Sequence, residues 1–140
     1  MITIVIDGVP IPWKAPHVGE HHTFSPRYRE KAQIQWQIRS QWNQKPIAGA
    51  VWCEFVFHMP IPKATSKVRR IQMLNGIIHP AKRPDRTNIL KLYEDCLNGI
   101  VIEDDGQIVA GPVTKIFGEM PKTVIKIVEM SKYTLGHVPK

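Results

Sequence analysis

Cysteine is scarce in this chain: two among 140 residues, Cys53 and Cys96. Both sit in apolar segments without metal-ligand spacing, so no disulfide framework or thiolate metal site is expected, and the pair reads as reduced core thiols of a cytosolic protein. Long apolar runs are missing too, none approaching the roughly 20 residues that a membrane helix needs. The opening MITIVI is too short for the apolar region of a signal peptide and runs into Asp7 and three prolines, which predicts a soluble, cytoplasmic protein. Repeats, low-complexity tracts and linkers are absent. Acidic residues are few, 12 against 19 Lys and Arg, for a formal net charge of +7. Such an excess points to a polyanionic partner, nucleic acid above all, with a merely basic soluble domain as the plain alternative.

What is present suits one globular α+β domain over residues 1–130, followed by a loose basic tail at 131–140. Residues 2–6 are rich in β-branched side chains and read as a strand, broken by Val9-Pro10-Ile11-Pro12. A loop from Trp13 to about Ser25 carries Lys14, beside an aromatic and close to His17, His21 and His22, where it can touch DNA. The histidines have no metal-binding spacing. Ser25-Pro26 opens a helix running to about residue 43, with Ile34, Ile38 and Trp42 as its core stripe. Tyr28, Ala32 and Trp36 widen the apolar arc beyond half the circumference, so the helix is either sandwiched within the chain or meets another subunit. Residues 49–59 read as a central strand with Val51, Cys53, Phe55 and Phe57 alternating on one face. A short helix over 64–74 holds Lys67, Arg69 and Arg70, as a solvated face or a phosphate clamp. Asn75-Gly76 turns the chain, 77–79 reads as a short strand, and Lys82-Arg83 follows. Near the end, strands at 108–117 (bulged at Gly111-Pro112) and 123–129 are expected to form an antiparallel hairpin.

Residues 84–107, PDRTNILKLYEDCLNGIVIEDDGQ, differ from all of this. They hold Asp85, Glu94, Asp95, Glu103, Asp104 and Asp105, half of the chain's acid. Acid concentrated in one stretch of a cationic protein is what a metal-dependent phosphodiesterase needs: carboxylates for the metal, cations for the phosphates. Thr87 reads as an N-cap, residues 88–98 as a helix ended by Gly99, and 100–102 as a short strand. Ile89, Leu90, Tyr93, Cys96 and Leu97 share the apolar face. Asn88, Lys91 and Asp95 line the opposite one, with Glu94 close by. If the corner Glu103-Asp104-Asp105-Gly106 folds back over the helix start, then Asp85, Lys91, Asp95 and Asp105 can converge. Lys91 can bind a phosphate there or pair, i to i+4, with Asp95.

The pattern Pro84-Asp85-x-x-Asn88-x-x-Lys91-x-x-x-Asp95-x-Leu97-x-Gly99, then Asp104-Asp105-x-Gln107, resembles the signature of RusA-type Holliday junction resolvases. The resemblance implies an α+β fold with a small mixed, mostly antiparallel sheet, two main helices and a C2 homodimer. It implies a Mg²⁺-dependent endodeoxyribonuclease, with Mn²⁺ able to substitute, that resolves four-way junctions by paired symmetric nicks in recombination and repair. Small resolvases of this type are commonly phage- or prophage-borne. Asp85, Lys91 and Asp105 are then the catalytic residues. Metal ligands come from Asp85, Asp105, Asp95, Glu94 and Asp104, and Thr87, Asn88 and Gln107 support them. Lys14, Arg69, Arg70, Lys82, Arg83 and Arg86 are the DNA-contacting cations. One departure stands out: the family pattern has Asp-x-Asp before the asparagine, and here Thr87 takes the second acidic position. Either Glu94 supplies the missing carboxylate, or the protein binds branched DNA and cuts it slowly or not at all.

Overall fold

Ten residues, Val51–Pro60, form the strand around which the sheet is built. Val51, Cys53, Phe55, Phe57 and Met59 are buried on one face, and the residues between them are half-buried. Each large apolar side chain so buried contributes about 1.5–3 kcal/mol. A strand carrying this much apolar surface does best with neighbours along both edges. The computed structural model describes residues 1–18, 23–24 and 26–132. In chain order the elements are β1 (Ile2–Asp7), β2 (His17–Val18), β3 (Thr23–Phe24), α1 (Tyr28–Gln41), β4 (Val51–Pro60), α2 (Lys67–Leu74), α3 (Arg86–Leu97), β5 (Ile108–Ala110), β6 (Val113–Gly118) and β7 (Lys122–Glu129). Short 3-10 turns occupy Asp105–Gln107 and Met130–Lys132. Ser25, His21, His22 and residues 133–140 of the expected tail lie outside the described residues.

The main sheet runs β1-β7-β4, with β5 and then β6 along the far edge of β4. β7 is antiparallel to both β1 and β4, whereas β5 and β6 run parallel to β4. The expected α+β class, single domain and mixed sheet are therefore present. Ile34 and Ile38 of α1 and Ile89, Leu92 and Tyr93 of α3 share one apolar core with β1, β4 and β7. The Phe57 and Tyr93 rings, with centroids 5.5 Å apart and tilted by 53°, join α3 to the central strand.

Three expectations need correction. The last two strands do not pair as a hairpin: β4 lies between them, and residues 119–121 carry the chain across the end of β4. Buried in the middle of the sheet, β4 must satisfy backbone donors and acceptors on both edges, and β6 and β7 each pair with one of them. Gly118 permits the tight passage, since a Cβ there would stand 2.8 Å from that of His58. The expected bulge at Gly111-Pro112 splits that strand into β5 and β6. Gly111 has φ +129°, and a Cβ on it would overlap the Cys53 carbonyl. Residues 77–79 form a bend rather than a strand, with the amides of Ile77 and Ile78 turned back to Gln72 O. Residues 100–102 form a turn with an isolated bridge from Ile102 to Ile47, because the amides of Ile100 and Val101 bond Leu97 O at the end of α3.

β1 ends the sheet on the side away from β4. Two glutamines one helical turn apart on α1 close part of that edge. Gln41 accepts from Val5 N (2.9 Å) and donates to Val5 O (2.7 Å), and Gln37 does the same for Asp7 (2.8 and 3.3 Å). Each amide thus replaces a peptide group of the strand that is not there. Gln41→Ala is expected to cost about 1 kcal/mol. The Gln37→Ala, Gln41→Ala double variant should in addition self-associate beyond the wild-type state, because a bare strand edge templates another chain. Thermal melts and light scattering identical to wild type would show that these amides protect nothing.

Candidate active site

α3 begins two residues earlier than the sequence suggests. Asp85 O accepts from Ile89 N (3.1 Å), so Asp85 takes the cap position through its backbone, without a side-chain cap bond. Thr87 lies inside the first turn, exposed. The buried stripe is Ile89, Leu92, Tyr93, Cys96 and Leu97, the i, i+3, i+4, i+7, i+8 set of a core-facing helix. Leu92 replaces Leu90, which is only half-buried. The opposite face presents exposed Asn88 and Lys91, with Glu94 and Asp95 half-buried at its border.

The acidic corner after α3 is held by a single amide. Gln107 Oε1 accepts from the backbone N–H of Glu103 (2.7 Å) and Asp104 (2.8 Å), while Nε2 donates to Ile47 O (2.8 Å) and Gly49 O (2.7 Å). Asp104 Oδ2 completes the turn by accepting from Gly106 N at 3.0 Å. The corner is thereby tied to the segment entering β4 and laid against α3. Asp105 lands beside Glu94. Burial, then the negative charge of Asp105, then that of Asp95 push the Glu94 carboxyl above the usual glutamate range. Burial, with Glu94 next, pushes the Cys53 thiol up to about 12, placing Glu94 over the central strand. The structure therefore brings Glu94, Asp95 and Asp105 into one electrostatic group.

Lys91 does not pair with Asp95. Its Nζ lies 3.5 Å from the centre of the Trp13 ring, a cation–π contact that no spacing rule could have foreseen. The loop after β1 is pinned there by Trp13 N donating to Asn88 O at 2.9 Å. Lys14, next in the chain, is exposed. Asp85 stands at the far end of the helix, with its carboxylate 3.8 Å from Arg83 Nη1. Among the described residues, no three His, Cys, Asp or Glu side chains stand together as a ready-made metal site. The remaining cations divide by role. Arg86 Nη1 donates to Val113 O (3.1 Å), so it also fastens α3 to β6, and Arg70 lies 3.8 Å from Glu119. Among the described residues Arg69 and Lys82 have no carboxylate partner. Sequence reasoning missed Trp13 and also Lys115, whose ammonium donates to Lys82 O and Pro84 O at 2.8 Å each. Neither contact leaves a signal in local periodicity.

A family profile described as Endodeoxyribonuclease RusA matches residues 8–128 of the chain. The chain is also similar to "Uncharacterized protein YqaN" of Bacillus subtilis (strain 168), with 32% identity over 87 residues. That alignment spans 61% of each protein.

The crowding at Glu94 has a measurable sign. A carboxyl whose pKa is raised by folding resists ionisation in the native state. Its penalty is absent below the ordinary glutamate range and grows as pH rises through the folded value. Glu94→Gln is thus expected to leave stability unchanged near about pH 4 and to raise Tm by about 2–4 °C at neutral pH without added metal. Mg²⁺ should stabilise the wild type more than the variant. A wild-type-to-variant difference independent of pH and metal would mean that Glu94 is not crowded by its acidic neighbours and plays no part in holding an ion.

Proposed function

The chain belongs to the RusA endodeoxyribonuclease family, and we propose that it is a metal-dependent endonuclease of branched DNA, resolving Holliday junctions by paired symmetric nicks in recombination and repair. The carrying observation is the gathering of Glu94, Asp95 and Asp105 beside the helix face that presents Lys91, within a chain of net charge +7. An oxygen-only donor set of this kind suits Mg²⁺, or Mn²⁺ in its place. Mutual repulsion between Glu94 and Asp105 is what a divalent cation would relieve. Glu94 and Asp105 would hold the ion, with Asp95 and Asp104 close by, and Asp85, at the opposite end of α3, is the further carboxylate that the family pattern implies as a ligand. The ion supplies Lewis acidity and charge neutralisation at the scissile phosphate.

The chain's own groups do the rest. Lys91 binds the phosphate to be cut and stabilises charge developing on it, and Trp13 keeps the ammonium positioned when DNA is absent. Asn88 ties the loop of Trp13 and Lys14 to α3 through its carbonyl. Lys14, Arg69, Arg70, Lys82, Arg83 and Arg86 contact backbone phosphates, so recognition follows junction shape rather than sequence. Two matched cuts require two matched sites, which a C2 homodimer supplies. Tyr28 and Trp36, 74% and 71% exposed and flanking exposed Ala32 on α1, support that reading by presenting an apolar stripe to solvent. Thr87 favours a second reading, a binder of branched DNA that cuts weakly, because a threonine stands where the family pattern has an acid. Glu94 is the compensating carboxylate in the first reading.

Asp85→Asn and Asp105→Asn are each expected to slow cleavage of a labelled four-way junction by about a hundredfold or more, while junction binding survives. Undiminished nicking by either variant would remove that residue from the mechanism. Stable complexes without products from the wild type, in Mg²⁺ or Mn²⁺, would give the function to the second reading. Trp36→Glu is expected to convert a dimer to a monomer in light scattering, and a wild type already monomeric at micromolar concentration would refute the dimer.

A further inference from the structure

Between the end of β4, α2 and the loop leading to α3 lies a cleft of about 740 Å³, within the roughly 300–1,000 Å³ of small-molecule sites. Met59, Met73, Ile78 and Phe117 line it, together with five of the chain's twelve prolines. Prolines have fixed φ and expose C–H faces, so the cavity is preformed and costs little to order around an occupant. Lys115 reinforces one wall: its ammonium holds the carbonyls of Lys82 and Pro84 from β6.

Charge distinguishes this cleft from an ordinary apolar groove. Arg69, Lys82 and Arg83 line it, and no carboxylate does. Arg83 has Asp85 as its ion-pair partner, whereas Arg69 and Lys82 have no acidic partner among the described residues. An apolar slot lined by unneutralised cations is complementary to a flat, weakly polar body carrying phosphates. Its wall runs into the start of α3, since Pro84 lines the cleft and the N-cap Asp85, one of the proposed catalytic residues, follows immediately.

We propose that this cleft receives the base of an unstacked nucleotide from the bound DNA strand, with the adjoining phosphates on Arg69 and Lys82. The inference rests on the DNA-nuclease reading and deepens it. Shape recognition through phosphates would be supplemented by extrusion of one base beside the cut. A strand exchange point, where stacking is already broken, gives up such a base at the lowest cost. Contacts of the base with proline, methionine and phenylalanine are tolerant of base identity, because every base has a π face.

The test uses the full chain and synthetic four-way junctions in Ca²⁺, carrying 2-aminopurine at one position at a time through the nucleotides flanking the exchange point. At one symmetric pair of positions, fluorescence is expected to rise on binding, and replacing that nucleotide by an abasic residue is expected to weaken binding about tenfold. Ile78→Asp should abolish the fluorescence rise. Arg69→Ala, at an exposed position, and Lys82→Ala should each reduce the slope of affinity against log salt by about one. Tight junction binding with no fluorescence change at any position, and no abasic penalty, would overturn the cleft proposal while leaving the nuclease reading intact. Failure to bind any branched DNA would overturn both. Occupation of the cleft by an acidic, leucine-containing peptide that oligonucleotides cannot displace would assign it to a protein partner and overturn the proposal.

Discussion

Like charges pressed together need something neutral to hold them. Here Gln107 does so, with four hydrogen bonds from one side-chain amide to the backbone at Glu103, Asp104, Ile47 and Gly49. The acidic corner cannot leave the segment entering β4 without breaking that set, so Asp105 stays near Glu94 although its charge raises the cost of ionising Glu94. Perturbed carboxyls of this kind gather where a protein does chemistry. The holding force is ordinary peptide hydrogen bonding and the resisting force is electrostatic. A cation would turn the second from a cost into an attraction.

β6 has a comparable task on the other side of the site. Lys115 reaches from it to the carbonyls of Lys82 and Pro84, and Val113 O receives Arg86. Two cations that would pass for surface charge in the sequence thus fix the entry to α3, including Asp85, against the sheet. The same strut forms a wall of the apolar cleft. Acidic group, Lys91 and cleft are consequently arranged around one helix and its approach, each anchored to a different strand of the sheet or to the loop leaving β1. No described helix is long and apolar enough to cross a membrane.

Much of the fold was legible because it is written in periodicity. Period-two alternation located β4, and the i, i+3, i+4 pattern located α1 and α3 to within a few residues. The bulge was visible in Gly111-Pro112. Strand pairing was not. β6 and β7 are adjacent in sequence, and local rules pair neighbours, but the buried β4 has two backbone edges to satisfy and takes one strand on each. The bends at 77–79 and 100–102 were misread for a related reason: β-branched residues favour extended backbone, yet backbone bonds to Gln72 and Leu97 claim them.

The site divides in the same way. Sequence by itself singled out the candidate side chains, because acid crowded into residues 84–107 of a cationic chain is a matter of composition and spacing along one helix. It determined the exposed face of α3, since 3.6 residues per turn separate Asn88, Lys91 and Asp95 from the core stripe without reference to anything else. Only the tertiary structure decided that Asp105 meets Glu94, that Lys91 leans on Trp13 rather than Asp95, and that Lys115 braces the approach to Asp85. Each of those contacts joins elements far apart in the chain, and its energy depends on where a sheet edge or a clamped turn sets the backbone, which no local pattern encodes.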